Sequence, residues 1–265
     1  MEIKQIVLVA LLSMLFCNIT NGLTILPDEK NKQSKQLHNL EIFLLIGQSN
    51  MAGRAEIEAQ DRDSLENVFL FTGVEGFEWE KAANPLNKYS TVRKDLSMQK
   101  MGPGYNFAYK IAQALPGKQI GIVVNAKGGT AISEWMPGTL LYSEAVKRAK
   151  MAMKCGSLKG IVWHQGESDV SKTDIYPEKI ALLIKSLRAD LGLPEIPFVA
   201  GQLSEDKPER KVFNLMMLTL PEKINKMAVV TSESTATFDG THFDSKSTRI
   251  MGERYAEKMI KLFHK

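Results

Sequence analysis

Five short runs of apolar and β-branched residues constrain this chain more than any other feature: Ile42–Ile46, Ile120–Asn125, Gly160–His164, Phe198–Gly201 and Ala228–Thr231. A strand that is apolar at consecutive positions, instead of alternating, must be covered on both faces, as in a parallel sheet. Val68–Phe71 is a weaker sixth candidate. Between these runs, Tyr105–Leu115 (closed by Pro116 and Gly117), Tyr142–Lys154, Pro177–Leu191, Asn214–Lys226 (interrupted by Pro221) and Ser245–His264 read as helices. In Pro177–Leu191 the residues Ile180, Leu183, Ile184 and Leu187 share one face, and Pro177 suits a first helical turn. Strand and helix alternate, so the predicted fold class is α/β: three α/β/α layers around a mostly parallel, five-stranded sheet. Gly73–Gly102, rich in Asn, Lys, Gly and Pro, fits neither pattern, and its length suggests a surface excursion near a site.

The first residues follow another logic. Lys4 precedes an apolar run, Ile6–Phe16, shorter than the ~20 residues a membrane span needs and followed by small and polar residues at Thr20 and Gly22. This predicts a signal peptide over residues 1–22, a polar linker over 23–39 and a catalytic domain over 40–265, hence a secreted or periplasmic protein with no membrane association after cleavage. Cleavage would remove Cys17 and leave Cys155 alone, so no internal disulfide could form, and Cys155 reads as a buried structural thiol. The net charge of +4 is too small and too scattered for a nucleic-acid partner.

In an open parallel sheet, ligands bind beyond the carboxyl ends of the strands. Polar and glycine-rich segments follow the strands at that edge. Gly47-Gln48-Ser49-Asn50-Met51-Ala52-Gly53 allows a tight turn on which Ser49 is either a nucleophile, with its own N–H as an oxyanion donor, or a helix cap. It is not the Gly-x-Ser-x-Gly elbow, because Met51 stands at the second glycine. Asn125-Ala126-Lys127-Gly128-Gly129-Thr130 lacks phosphate-loop spacing and suits a donor to an oxyanion, or an ordinary turn. Trp163-His164-Gln165-Gly166-Glu167-Ser168-Asp169 puts polar side chains directly after a buried strand, where they would line a wet cleft. In Asp239-Gly240-Thr241-His242 the carboxylate precedes the imidazole by three positions, a spacing that lets the acid fix the ring's tautomer and leave Nε2 free to take a proton; a capping turn is the other reading. Trp79 and Trp135 either stack on a sugar ring or pack inside the protein.

These four segments resemble those of the SGNH hydrolase superfamily, and within it the sialate O-acetylesterase and acetylxylan esterase branch, the family-six carbohydrate esterases. The resemblance runs from about residue 40 to the C-terminus. It implies a flavodoxin-like fold and a carbohydrate O-acetylesterase with no metal or organic cofactor, acting on an acetylated glycan. Ser49 would be the nucleophile and His242 the general base and then acid. Asp239 would be the main partner of His242, with Glu167 as a second. The oxyanion hole would come from the Ser49 N–H, the N–H of Gly128 or Gly129, and the Gln165 amide, which replaces the superfamily's usual asparagine. Gln48, Asn50, His164 and Trp135 would contact substrate. Two alternatives accompany this reading: a metal-dependent hydrolase built on His164, Glu167, Asp239 and His242, and a carbohydrate-binding protein without activity.

Overall fold

The structure is a computed structural model and describes residues 37–263. The expected leader, its cleavage site, Cys17 and nearly all of the expected linker lie outside the described residues.

The described residues form seven strands and six α-helices: β1 Leu40–Gly47, α1 Ser49–Ala52, β2 Val68–Val74, β3 Phe77–Lys81, α2 Gly104–Ala114, β4 Ile120–Ala126, α3 Leu140–Ala152, β5 Gly156–His164, α4 Tyr176–Leu191, β6 Phe198–Gly201, α5 Arg210–Thr219, β7 Met227–Val230 and α6 Ser245–Phe263. The strands form one sheet in the order β3-β2-β4-β1-β5-β6-β7. Every pairing is parallel except β2 with β3.

Strand β1 shows why the apolar runs are continuous. Leu40, Ile42, Leu44 and Ile46 pack with the residues of α3, α4 and α5, while Phe43 and Leu45 pack with those of α2 and α6. Successive side chains point to opposite faces and both faces are covered by helices, so Ile42–Ile46 is apolar at every position; Glu41, near the start of the strand, is half-buried and pairs with Lys118 and Lys159.

The sheet has seven strands, not the expected five. Strand β2 is the weaker apolar run, extended to Val74. Strand β3, Phe-Glu-Trp-Glu-Lys, opens the segment left unassigned and joins β2 as an antiparallel hairpin at the sheet edge. An edge strand half in water carries no continuous apolar run, so the pattern that found the inner strands could not find this one. The second difference is α5, which begins at Arg210 and stops at Thr219, ahead of a short 3-10 turn, Leu220–Glu222, that contains Pro221. A proline that cannot continue an α-helix explains the stop.

The rest of Gly73–Gly102 folds over the carboxyl end of β4. Pairing between β2 and β4 ends at Leu70 with Ile122. Beyond that point Asn87 takes over: its Oδ1 accepts from the Ala126 N–H at 3.0 Å and its Nδ2 donates to the Ala126 carbonyl at 3.1 Å. A side-chain amide thus substitutes for a neighbouring strand, and the excursion is fastened beside the glycine pair that follows β4.

Candidate active site

The four polar segments meet at the carboxyl edge of the sheet. Gly47 sits where β1 and β5 end side by side. Its φ is +137°, and a Cβ there would lie 2.1 Å from the His164 carbonyl oxygen, so only glycine fits. The chain turns at once into α1, whose first residue is Ser49. The Ser49 hydroxyl caps no helix end. Its hydrogen bond is to Nε2 of His242, at 3.0 Å across 193 positions of sequence.

The other ring nitrogen, Nδ1, lies 2.6 Å from Oδ2 of Asp239. The second oxygen of Asp239 accepts from the backbone N–H of Thr241 at 2.9 Å and of His242 at 2.7 Å. Burial pushes the Asp239 carboxyl up, but the His242 N–H, its imidazole and the Thr241 N–H outweigh that effect and hold it below the ordinary carboxylate value. An anionic carboxylate only accepts, so Nδ1 carries the proton and Nε2 presents its lone pair to the Ser49 O–H.

Gly128 lies over this pair. A Cβ on it would be 3.2 Å from Cβ of Ser49 and 2.8 Å from Nη2 of Arg54, which places the backbone of residue 128 and a guanidinium edge together above the serine. A Cβ on Gly129 would lie 3.3 Å from Nζ of Lys94. Arg54 is half-buried, and its Nη1 donates to the carbonyls of Gly53, at 2.7 Å, and Met98, at 3.2 Å. Burial holds its pKa below the usual arginine value. Phe238, 58% exposed, stacks on the His242 ring at 5.9 Å between centroids and 24° between planes.

Several expected roles change. Gln165 is fully buried and its amide is spent: Nε2 donates to the Thr130 carbonyl at 3.0 Å and to Oδ2 of Asp169 at 2.6 Å, and Oε1 accepts from the Tyr176 hydroxyl at 3.0 Å. An amide whose two hydrogens are both bonded cannot also serve an oxyanion, so Gln165 supports the Gly128–Thr130 loop from below. Trp135 does not face substrate. It is fully buried, donates to Thr130 Oγ1 at 3.0 Å and meets Trp163 edge-on at 5.3 Å. Trp79 packs on Phe71, 5.0 Å between centroids, and against Gly121. His164 is likewise buried, its Nδ1 2.6 Å from the Tyr255 hydroxyl, out of reach of a ligand. Gln48 is buried beneath the turn with its Oε1 unpaired.

Glu167 does not touch His242. Its Oε1 accepts from Nδ2 of Asn50 at 2.6 Å and lies 3.5 Å from Nε2 of His164. The four residues of the metal alternative therefore stand as two separate pairs, and among the described residues no three His, Cys, Asp or Glu side chains converge. Cys155 is half-buried in the 3-10 turn just ahead of β5, more open than expected.

Sequence reasoning missed Arg54, Lys94 and Phe238. Arg54 stands one residue beyond the serine motif and Phe238 one residue before Asp239, both within reach of those motifs; nothing local marks Lys94.

This sheet order, with the serine turn after β1 and the Asp-x-x-His loop just before the last helix, is the SGNH hydrolase fold. A GDSL-like lipase structure from Parabacteroides merdae shares it at a TM-score of 0.53 and 12% identity, over 84% of this chain and 97% of that one. Residues 39–261 match the family model described as carbohydrate esterase, sialic acid-specific acetylesterase, and the chain belongs to this family. It is an esterase acting on acetylated carbohydrate. It is 36% identical over 177 residues to a probable carbohydrate esterase of Arabidopsis thaliana, covering 60% of this chain and 67% of that protein. An X-ray structure of an Arabidopsis thaliana protein superposes with a TM-score of 0.76 at 29% identity, over 84% and 98% of the two chains. A carbohydrate acetylesterase from Xanthomonas citri superposes with a TM-score of 0.61 at 21% identity, over 82% of this chain and 55% of that one.

Proposed function

We propose that the chain hydrolyses acetyl esters by serine nucleophilic catalysis, with Ser49, His242 and Asp239 as the working group. The observation that carries this is the unbroken chain of contacts from Ser49 Oγ to His242 Nε2, 3.0 Å, and from His242 Nδ1 to Asp239 Oδ2, 2.6 Å.

A serine hydroxyl is a weak nucleophile, so the imidazole must take its proton as Oγ attacks the acetyl carbon. The carbonyl oxygen becomes an oxyanion facing the N–H groups of Ser49 and Gly128. Positioned donors of this kind are each worth ~3–4 kcal/mol of barrier. The proton now on Nε2 passes to the sugar oxygen, which leaves as an alcohol. Water then attacks the acetyl-serine by the same route in reverse, releasing acetate and restoring Ser49.

We further propose that the sugar is acidic, of the sialate type rather than the neutral xylan type. Arg54 and Lys94 support this, since both reach the glycine pair beside the serine, and in neither arginine bond is the acceptor a carboxylate. A carboxylate on the substrate would supply the missing countercharge. The family's description as sialic acid-specific agrees. Phe238, the exposed aromatic at the site, offers a flat face to a sugar ring.

The test is Ser49→Ala, assayed by acetate release from O-acetyl sialic acid and from acetylated xylan. The variant is expected to fold and to lose activity ~10³-fold or more, and the unaltered protein to favour the acidic sugar. Retention of a tenth of the activity contradicts the serine, and equal turnover of both glycans contradicts the acidic one.

A further inference from the structure

The loop bearing His242 lies across from the serine turn, and the reaction needs the two held at a fixed distance. One side chain spans the gap. Asn50, next to Ser49 and nearly buried, donates from Nδ2 to the Thr241 carbonyl at 3.1 Å and accepts at Oδ1 from the Phe243 N–H at 3.1 Å. It therefore grips the backbone on both sides of His242. The remaining hydrogen of its amide goes to Oε1 of Glu167 at 2.6 Å.

Glu167 is held in turn from below. Its side chain is only 6% exposed. His164 Nε2 lies 3.5 Å from Oε1, and Nδ1 of that ring lies 2.6 Å from the Tyr255 hydroxyl. Oε2 of Glu167 is buried without a hydrogen-bond partner among the described residues. Leaving one carboxylate oxygen unsatisfied in the interior is costly, and a residue serving packing alone would not need a charge there. An amide has two faces of nearly equal shape, and turned over it would set an N–H against the Phe243 N–H. A carboxylate accepts and never donates, so it admits only the orientation in which the Asn50 oxygen faces residue 243.

We propose that Glu167 is a positioning residue that acts through Asn50: by fixing the Asn50 amide it lets that one side chain clamp both flanks of His242 to the Ser49 turn. Asp239 alone then governs the charge and tautomer of the ring, while Glu167 governs where the ring stands. The inference rests on the serine reading of the site.

Glu167→Gln keeps the shape but can turn a donor toward Asn50. Expected is a fall in kcat of ~10- to 100-fold, the usual result of a displacement on the order of an ångström. KM should stay within about twofold, and the acid limb of the pH–rate profile should stay where it is in the unaltered protein. Asn50→Ala leaves Glu167 with His164 and should give the same signature, which keeps the proposal testable if Glu167→Gln fails to fold. The double variant should be no slower than Asn50→Ala alone, because both act through one contact. A displaced acid limb in Glu167→Gln would make Glu167 a direct partner of the ring and overturn the proposal. Additive losses in the double variant, or unchanged kcat in either single one, would also overturn it. Ser49→Ala is assayed alongside: if it stays active the underlying reading fails, whereas an inactive Ser49→Ala beside an unimpaired Glu167→Gln defeats the clamp alone.

Discussion

Asp239→Asn separates orientation of the imidazole from every other property of the loop. The Asp239 carboxylate makes three contacts: 2.9 Å to the Thr241 N–H, 2.7 Å to the His242 N–H and 2.6 Å to Nδ1 of the ring. Asparagine preserves the first two through its carbonyl oxygen, so the turn should keep its shape. The third contact inverts. An amide N–H now faces Nδ1, which must become an acceptor, and the ring proton moves to Nε2, where it points at Ser49 Oγ and blocks proton uptake. A wrong tautomer in a Ser-His-Asp site costs ~10⁴ in kcat. Here the Asp239 side chain is 39% exposed, and water competes for Nδ1 and relieves part of the error. We therefore expect a loss of ~10²–10³, or ~3–4 kcal/mol of barrier. The assay is acetate release between pH 4 and 9, with circular dichroism to confirm the fold. A loss of less than tenfold with the fold intact would refute the reasoning.

Three further outcomes are expected. Gly128→Ala puts a methyl group 3.2 Å from Ser49 Cβ and 2.8 Å from Arg54 Nη2; the guanidinium can swing away but the serine cannot, so kcat should fall ~10²-fold with little change in melting temperature. Arg54→Gln should raise KM for an O-acetylated acidic sugar about tenfold, in line with the loss of one charge-assisted contact, while turnover of a neutral acetate ester such as methyl acetate stays within about twofold. For Glu167, burial raises the carboxyl but the hydrogen bond and charge of His164, its own N–H and Asn50 lower it more, so its native value lies below the unfolded one. Such a group stabilises the fold above the unfolded pKa, ~4.3, and loses that contribution as pH falls through the native value. Denaturant unfolding of Glu167→Gln and of the unaltered protein should thus differ most at neutral pH and converge as the pH falls through the native value; a difference independent of pH would contradict this.

The inner strands and the position of the site were readable because a parallel sheet imposes both. Continuous apolar runs mark strands covered on two faces, and the polar segment after each run falls on one rim. That rule and the local spacing mark Ser49, Asp239 and His242 as candidates, and the family resemblance supplies their roles. What escaped was the allocation of hydrogen bonds among buried polar groups. Gln165 reads as a free donor until Thr130, from another part of the chain, and Asp169, four residues on, are seen to occupy both its hydrogens. Glu167 reads as a partner for His242 until Asn50 intervenes. Trp135 carries the same local signature whether it faces a sugar or Trp163. Strand β3 and Phe238 share another cause: both stand at the surface, where apolar patterning fades.

If Ser49 is the nucleophile, every acetyl group released passes through its hydroxyl. Rapid acid quench of the enzyme during turnover of a good acetyl donor, followed by digestion and mass spectrometry, reads this directly. One acetylated peptide is expected, the one spanning Ser49, that appears within a turnover, decays as substrate runs out, and is absent from Ser49→Ala. Full turnover with Ser49 never acetylated, or acetate release by Ser49→Ala at the unaltered rate, would contradict this.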